Sequence, residues 1–245
     1  MYLPINQIIC GDCLEVMPLL PDKSIDMILC DLPYGTTACK WDTVIPFEPL
    51  WEQYERIIKD NGAIVLTASQ PFATALAYSN MKRFRYEWIW EKTNATGFQL
   101  AKKMPMKKHE NILVFYKSLP TYNPQGLKPY GKKNRRGSVG NGGHLAHECN
   151  EYVQEYTNYP RSILKFPYDK TKLHPTQKPV ALFEYLIKTY TNEGEIVLDN
   201  CIGSGTTAIA ALNTGRFFIG IEKEEKYVEI ARKRIAEHMQ QLSIV

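Results

Sequence analysis

Short apolar runs alternate with stretches of helical period along most of the chain. Residues 5–10 (INQIIC) predict a strand running into Gly11-Asp12, and Leu14, Met17 and Leu20 mark a short helix. A second strand, Ile25 to Cys30, stops at Asp31 and breaks into a turn at Pro33 and Gly35. Residues 48–59 have helical spacing, with Leu50, Tyr54, Ile57 and Ile58 on one face, and Asn61-Gly62 is expected to close that helix before the strand AIVLTAS. Pro71 opens the next helix, and RYEWIWEK and NILVFYK read as late strands. From 118 to 173 the pattern dissolves into prolines and glycines, as expected of an insertion with little secondary structure. Regularity returns with a helix over 178–190, the strand EIVLDN, the glycine turn CIGSGTT opening a helix, and the strand FFIGIE. A long helix with Tyr227, Ile230, Ala231 and Ile235 inward ends the chain. Strand–helix alternation of this kind predicts an α/β fold with a doubly wound, mostly parallel sheet.

Composition narrows the class. At 245 residues and 44% hydrophobic side chains, the chain can bury one full core and carry an insertion. It holds no run of 18 apolar residues, and MYLPINQII lacks a basic region followed by a long apolar one, so neither a membrane span nor secretion is expected. Six scattered cysteines fit reduced thiols in a cytoplasm. Cys10 and Cys13 form a C-x-x-C with no second pair, and His144, His147 and Cys149 lack a fourth ligand at fitting spacing, so no metal is expected. Charge is uneven: residues 101–140 hold ten of the 30 Lys and Arg and one of the 26 acids. Such a block suits a polyanion at one face, or a solvated loop.

Two stretches carry chemistry. In an open α/β sheet, ligands sit beyond the carboxyl ends of strands, where Asp31, Leu32, Pro33 and Tyr34 would project. A carboxylate and a backbone carbonyl can each accept a proton from an exocyclic amino group, while a phenol ring stacks on the base. Taken alone, the motif also fits a buried strand ending in a solvated turn. Further on, Asp199 is followed by the glycine turn Gly203-Ser204-Gly205-Thr206, and Glu222 ends the next strand. Glycine turn followed by strand-end acid is how α/β nucleotide folds grip a ribose diol. No Gly-Lys-Ser/Thr follows, and Ala208 stands where a dinucleotide fingerprint has its third glycine. Adenosine with a zwitterionic tail therefore fits better than a dinucleotide, with Asp199 toward its ammonium and Glu222 on the ribose.

These blocks resemble the β-class DNA amino-methyltransferases, which methylate adenine N6 or cytosine N4 from S-adenosylmethionine. The resemblance rests on DLPYG (31–35), HPTQKPVALFEYLI (174–187), LDNCIGSGTT (198–207) and GIEKEEKYVEIA (220–231), in that order. It covers nearly the whole chain outside 118–173. It implies a circularly permuted Rossmann-like methyltransferase fold: a catalytic half at 1–117, a target-recognition insertion at 118–173 and a cofactor half at 174–245. It also implies that Asp12, with Cys13 beside it, serves the cofactor's adenine pocket. His174, Gln177 and Lys178 would hold its methionine end, and Cys201, Gly203, Ser204, Gly205, Thr206 and Glu222 the rest. DNA contacts are expected from Lys132, Lys133, Arg135 and Arg136. Two positions depart from the pattern: Leu32 replaces the usual first proline of D-P-P-Y, and Cys201 stands where phenylalanine is common.

The expected reaction is direct methyl transfer to an amino nitrogen made pyramidal by hydrogen bonds to Asp31 and the Leu32 carbonyl, on a base flipped out of duplex DNA. No metal is required. Cytosine C5 chemistry would need a nucleophilic cysteine in a Pro-Cys pair, which this chain lacks. Asp31 favours adenine N6 over cytosine N4, because in the β class aspartate accompanies adenine more often. The alternatives are N4-cytosine methylation, an RNA or protein-amide methyltransferase, and a non-catalytic DNA-binding relative. A homodimer and a restriction endonuclease partner both stay open, as does the recognised sequence.

Overall fold

The computed structural model describes residues 3–36, 42–135, 151–169 and 177–242. The first half runs β1 (Gln7–Cys10), α1 (Cys13–Val16), β2 (Ile25–Asp31), α2 (Phe47–Ile57), β3 (Ile58–Ala68), α3 (Phe72–Ser79), β4 (Phe84–Thr96) and β5 (Lys107–Phe115). After β6 (Lys128–Arg135), β7 (Glu151–Thr157) and β8 (Ile163–Lys165), the second half runs α4 (Val180–Tyr190), β9 (Ile196–Asp199), α5 (Thr206–Asn213), β10 (Phe217–Glu222) and α6 (Glu225–Leu242). Eight strands form one sheet in the order β1-β10-β9-β2-β3-β5-β4-β8. Every ladder in it is parallel except the two that β5 makes with β3 and β4. The expected doubly wound, mostly parallel fold is what forms.

The central strands β2, β9 and β10 and the second half of β3 are buried on both faces, so they read as continuous apolar runs rather than alternating ones. Along β2, Met27 and Leu29 face a core with α4, α5 and α6, through Leu186, Ala208 and Ala231. Ile28 and Cys30 face the opposite core with α1, α2 and α3, through Val16, Tyr54 and Leu76. Helices thus change sides between β9 and β2, and the carboxyl ends of those strands flank the crevice where such sheets bind ligands.

Three expectations need correction. The 118–173 segment carries more secondary structure than its sequence suggests. Pro124–Arg161 is a separate compact unit built on the β6–β7 hairpin, and β8 joins the main sheet beside β4. Tyr130, Tyr152, Val153 and Tyr156 of the hairpin are all exposed, so no apolar alternation announces it. Second, in α6 the deepest side chains are Val228, Ala231 and Ile235, while Tyr227 and Ile230 are half-buried.

Third, Asn61-Gly62 lies inside β3, which begins at Ile58 as soon as α2 ends. Pairing with β2 jumps there from Ile25–Ile58 to Met27–Ala63, a bulge on the β3 side. A Cβ on Gly62 would lie 2.7 Å from the Asp26 carbonyl oxygen and equally close to the Ile58 side chain. Main chain cannot yield as a side chain can. Gly62→Ala should therefore cost about 1–3 kcal/mol and lower the thermal midpoint by several degrees. Denaturant unfolding checks this; an unchanged midpoint would show that the bulge relaxes freely.

Candidate active site

The strand ends converge on one cavity of about 730 Å³. Asp31, Leu32, Pro33 and Tyr34 line it from the end of β2, and Asp199, Cys201, Gly203, Ser204 and Thr206 from the end of β9. Asp12, Cys13, Gln177, Lys178 and Glu222 complete the set that sequence reasoning singled out. Gly205 stands in the same turn. His174 and Arg136 lie outside the described residues, as do His144, His147 and Cys149. Lys132 and Lys133 are exposed on β6, and Arg135 ends that strand.

At the β2 end, Asp31 is the hub. Its Oδ1 accepts from the Tyr34 hydroxyl at 2.6 Å and from the Thr67 hydroxyl, and its Oδ2 accepts from Lys178 Nζ at 2.6 Å. Tyr34 stacks on Phe72 with centroids 5.2 Å apart, and burial raises its pKa. Asp42 fixes the turn that follows, accepting from the Gly35 and Thr36 amides at 2.9 Å each. Gly35 adopts φ +66°, a left-handed conformation that favours glycine.

Lys178, expected at the cofactor's methionine end, lines the cavity with its ammonium turned toward Asp31. Its side chain is only 6% exposed, and its ammonium pairs with both Asp31 and Glu110, the latter at 3.2 Å. Burial works to lower the Lys178 pKa, but the two carboxylates outweigh it and hold the group above its ordinary value. Glu110 also pairs with Lys92, giving a buried chain of alternating charges from β4 through β5 to Asp31. Sequence reasoning missed Thr67, Lys92 and Glu110. Thr67 stands inside the apolar run of β3, whereas Lys92 and Glu110 have polar neighbours in sequence, so only their burial, costly unless paired, marks them.

On the other side of β2, Asp12 caps α1 by accepting from the Leu14 amide at 2.9 Å and pairs with Lys223 at 3.0 Å. The Leu14 amide and Lys223 together hold the Asp12 carboxyl below its ordinary range, against a smaller effect of burial. Glu222 accepts from the Gly203 amide through Oε2 and from the Glu224 amide through Oε1, both at 2.9 Å. It therefore both braces the turn and faces the cavity, and burial raises its pKa. Gly205 has φ +85°, and a Cβ there would lie 3.2 Å from Ala231 Cβ, so the turn packs against α6 only as glycine. Gln177 donates to Asp169 at 3.1 Å, and Ser204 donates to Gln177 at 3.5 Å. Asp199 uses both oxygens inside the fold, accepting from the Cys201 amide at 3.0 Å and from the Thr207 hydroxyl. Both contacts shape the turn. Acidic groups at Asp12, Asp199 and Glu222 around glycine main chain suit a ligand with hydroxyls and positive charge.

A doubly wound sheet with an Asp-x-Pro-Tyr turn and an acid-braced glycine turn in one cavity is the architecture of an α/β methyltransferase. The chain belongs to the N6_N4_Mtase family of DNA methylases, whose family model matches residues 25–233. It is 28% identical over 245 residues to the type II methyltransferase M.HpaI of Haemophilus parainfluenzae, covering 94% of this chain and 74% of that one. Among solved structures, the M1.HpyAVI–SAM complex is 28% identical with a TM-score of 0.63, covering 93% of this chain and 98% of that one. The cytosine-N4-specific PvuII DNA methyltransferase, 15% identical, shares the fold at a TM-score of 0.68 over 96% and 91% of the two chains.

One titration reads the site directly. Burial pushes the Asp199 carboxyl up to about 7 from an ordinary 3.8, with the Thr207 and Cys201 hydrogen bonds opposing it. The unfolded chain therefore ionises at this position first as pH rises. Wild-type stability should fall between about pH 4 and 7, by up to about 1.4 kcal/mol per pH unit from this group, and level off above. Asp199→Asn removes the contribution. The unfolding free energy of wild type minus variant should decline across that window; a difference independent of pH overturns the assignment.

Proposed function

We propose that this chain transfers the methyl group of S-adenosylmethionine to adenine N6 in duplex DNA. What carries the reading is that Asp31 and Tyr34 share one cavity with Glu222, Asp199 and the glycine turn, so an amino-bearing base and an adenosyl cofactor would meet across β2. Glu222 would hold the ribose, and Asp12 would face the adenine. Asp199 and the Gly203–Thr206 turn would face the amino-acid end, and bound there the cofactor supplies an electrophilic methyl group.

Asp31 does the positioning. A carboxylate offers roughly four lone-pair sites, and Tyr34, Thr67 and Lys178 occupy three, leaving one for an amino proton of the target base. The Leu32 carbonyl would take the other amino proton. Together they draw the nitrogen lone pair out of conjugation and aim it at the methyl carbon. Lys178 balances the charge of Asp31, and Tyr34 offers an aromatic surface to a base that has left the stack. Support for adenine comes from Asp31, since the β class pairs aspartate with adenine more often than with cytosine. The type II methyltransferase relatives support modification of duplex DNA within a restriction system.

Asp31→Ala should abolish most methyl transfer while cofactor affinity, read by calorimetry, stays within about twofold. Sequencing of methylated DNA from cells expressing the chain identifies the site, and nucleoside chromatography identifies the base. N4-methylcytosine without N6-methyladenine would overturn adenine and leave the rest standing. For the β6 side, replacing Lys132, Lys133, Arg135 and Arg136 by glutamine should weaken DNA binding. It should also reduce the slope of log affinity on log salt by somewhat under one unit for each phosphate that goes unneutralised. An unchanged slope would make them a solvated surface.

A further inference from the structure

Beyond the cavity, the connection between β4 and β5 combines two properties that seldom share an exposed loop. Phe98 is 79% exposed, Leu100 47% and Met104 50%. Between and after them stand Lys102, Lys103, Lys107 and Lys108, and residues 96–109 are exposed throughout without a single acid. Nor is this a slack loop. Gly97 adopts φ +88° and starts a 3-10 turn over Phe98–Leu100, with the Leu100 amide donating to the Gly97 carbonyl at 2.9 Å. The Lys103 and Met104 amides then donate back to the Leu100 carbonyl at 2.8 and 3.0 Å. Large apolar side chains are thus held in water on an ordered, cationic turn.

Its roots stand on the rim of the cavity. Thr96, the last residue of β4, lines it, and so does Ser69, whose hydroxyl and neighbour Gln70 carbonyl receive Lys107 Nζ at 3.4 and 3.2 Å. Ser69 lies two residues beyond Thr67, the hydroxyl that touches Asp31. A partner for this turn must be anionic outside and apolar within, and must be present when the cavity is filled. Duplex DNA meets all three conditions, with phosphates outside and stacked bases inside.

We propose that the Phe98–Met104 turn is a DNA wedge: Phe98 enters the base stack beside the target nucleotide and occupies the space left by the extruded base, while Lys102 and Lys103 meet the flanking phosphates. This rests on the reading of the chain as a duplex-DNA methyltransferase. The test uses two synthetic duplexes carrying the site found by methylome sequencing. One is fully paired; in the other the target nucleotide faces an abasic position, so it has no pairing partner to lose and leaves the helix at lower cost. On the paired duplex Phe98→Ala should transfer methyl at least about tenfold more slowly than wild type, and Phe98→Trp should keep most of the rate. On the abasic duplex the alanine variant should come within about twofold of wild type. Equal losses on both duplexes, or none on either, overturn the wedge. So does a variant whose only changes are in self-association or in binding to phosphatidylglycerol vesicles. Wild-type protein that methylates neither duplex, or the failure of sequencing to find a site, removes the DNA reading itself, a result distinct from failure of the wedge alone.

Discussion

The contact on which the site depends is the buried pair between Lys178 and Asp31. The lysine comes from the segment entering α4 and the aspartate from the end of β2, so the pair ties the second half of the chain to the first. Burying an ammonium costs several kcal/mol unless carboxylates surround it, and here Asp31 and Glu110 both do. Lys92 in turn balances Glu110. The chain of charges is therefore interdependent: removing one member strands its neighbour in a low-dielectric environment. That interdependence holds Asp31 in one orientation, which an amino-group acceptor requires.

The order of strands enforces the same union. β1 pairs with β10, and β2 pairs with β9, so strands from opposite ends of the chain interleave. Neither half can complete its hydrogen bonding alone. The cavity opens where the helices change sides, so the two chemistries meet at the seam between the halves. Gly203 and Glu222 line the cavity from the ends of β9 and β10, and Asp31 from the end of β2.

How much of this was legible followed from periodicity and burial. The central parallel strands announced themselves because continuous burial writes an apolar run, and the long helix because its buried residues recur at helical spacing. Asp31, Tyr34, Gly203 and Glu222 were legible because two turns at strand ends, one with an acid and an aromatic and one glycine-rich, stand in a single chain with an acid ending the strand after the second. The β6–β7 hairpin did not, since strands exposed on their large residues need no alternation. Thr67, Lys92 and Glu110 were hidden for another reason. Their partners are far away in sequence, and Lys92 and Glu110, with polar neighbours on either side, read as surface residues until the fold buries them. Lys178 shows the limit of motif reading: the segment was recognised, yet only geometry revealed that the ammonium turns toward Asp31.

The two departures from the β-class pattern fit this picture. Leu32 is 3% exposed and packs in the core beneath β2, so its side chain serves packing while the motif's chemistry at that position belongs to the main chain. Losing a proline there gives up rigidity, which Asp42 restores from outside by holding the Gly35 and Thr36 amides. At Cys201, a small side chain sits close to the buried Cys13 and Cys30, and Asn200 donates to its sulfur at 3.5 Å. Burial pushes the Cys30 thiol up to about 12, and Cys13 and Cys201 are raised as well, so these thiols stay protonated and behave as small apolar groups. A thiol cluster of this kind fills volume beside the glycine turn without offering a nucleophile.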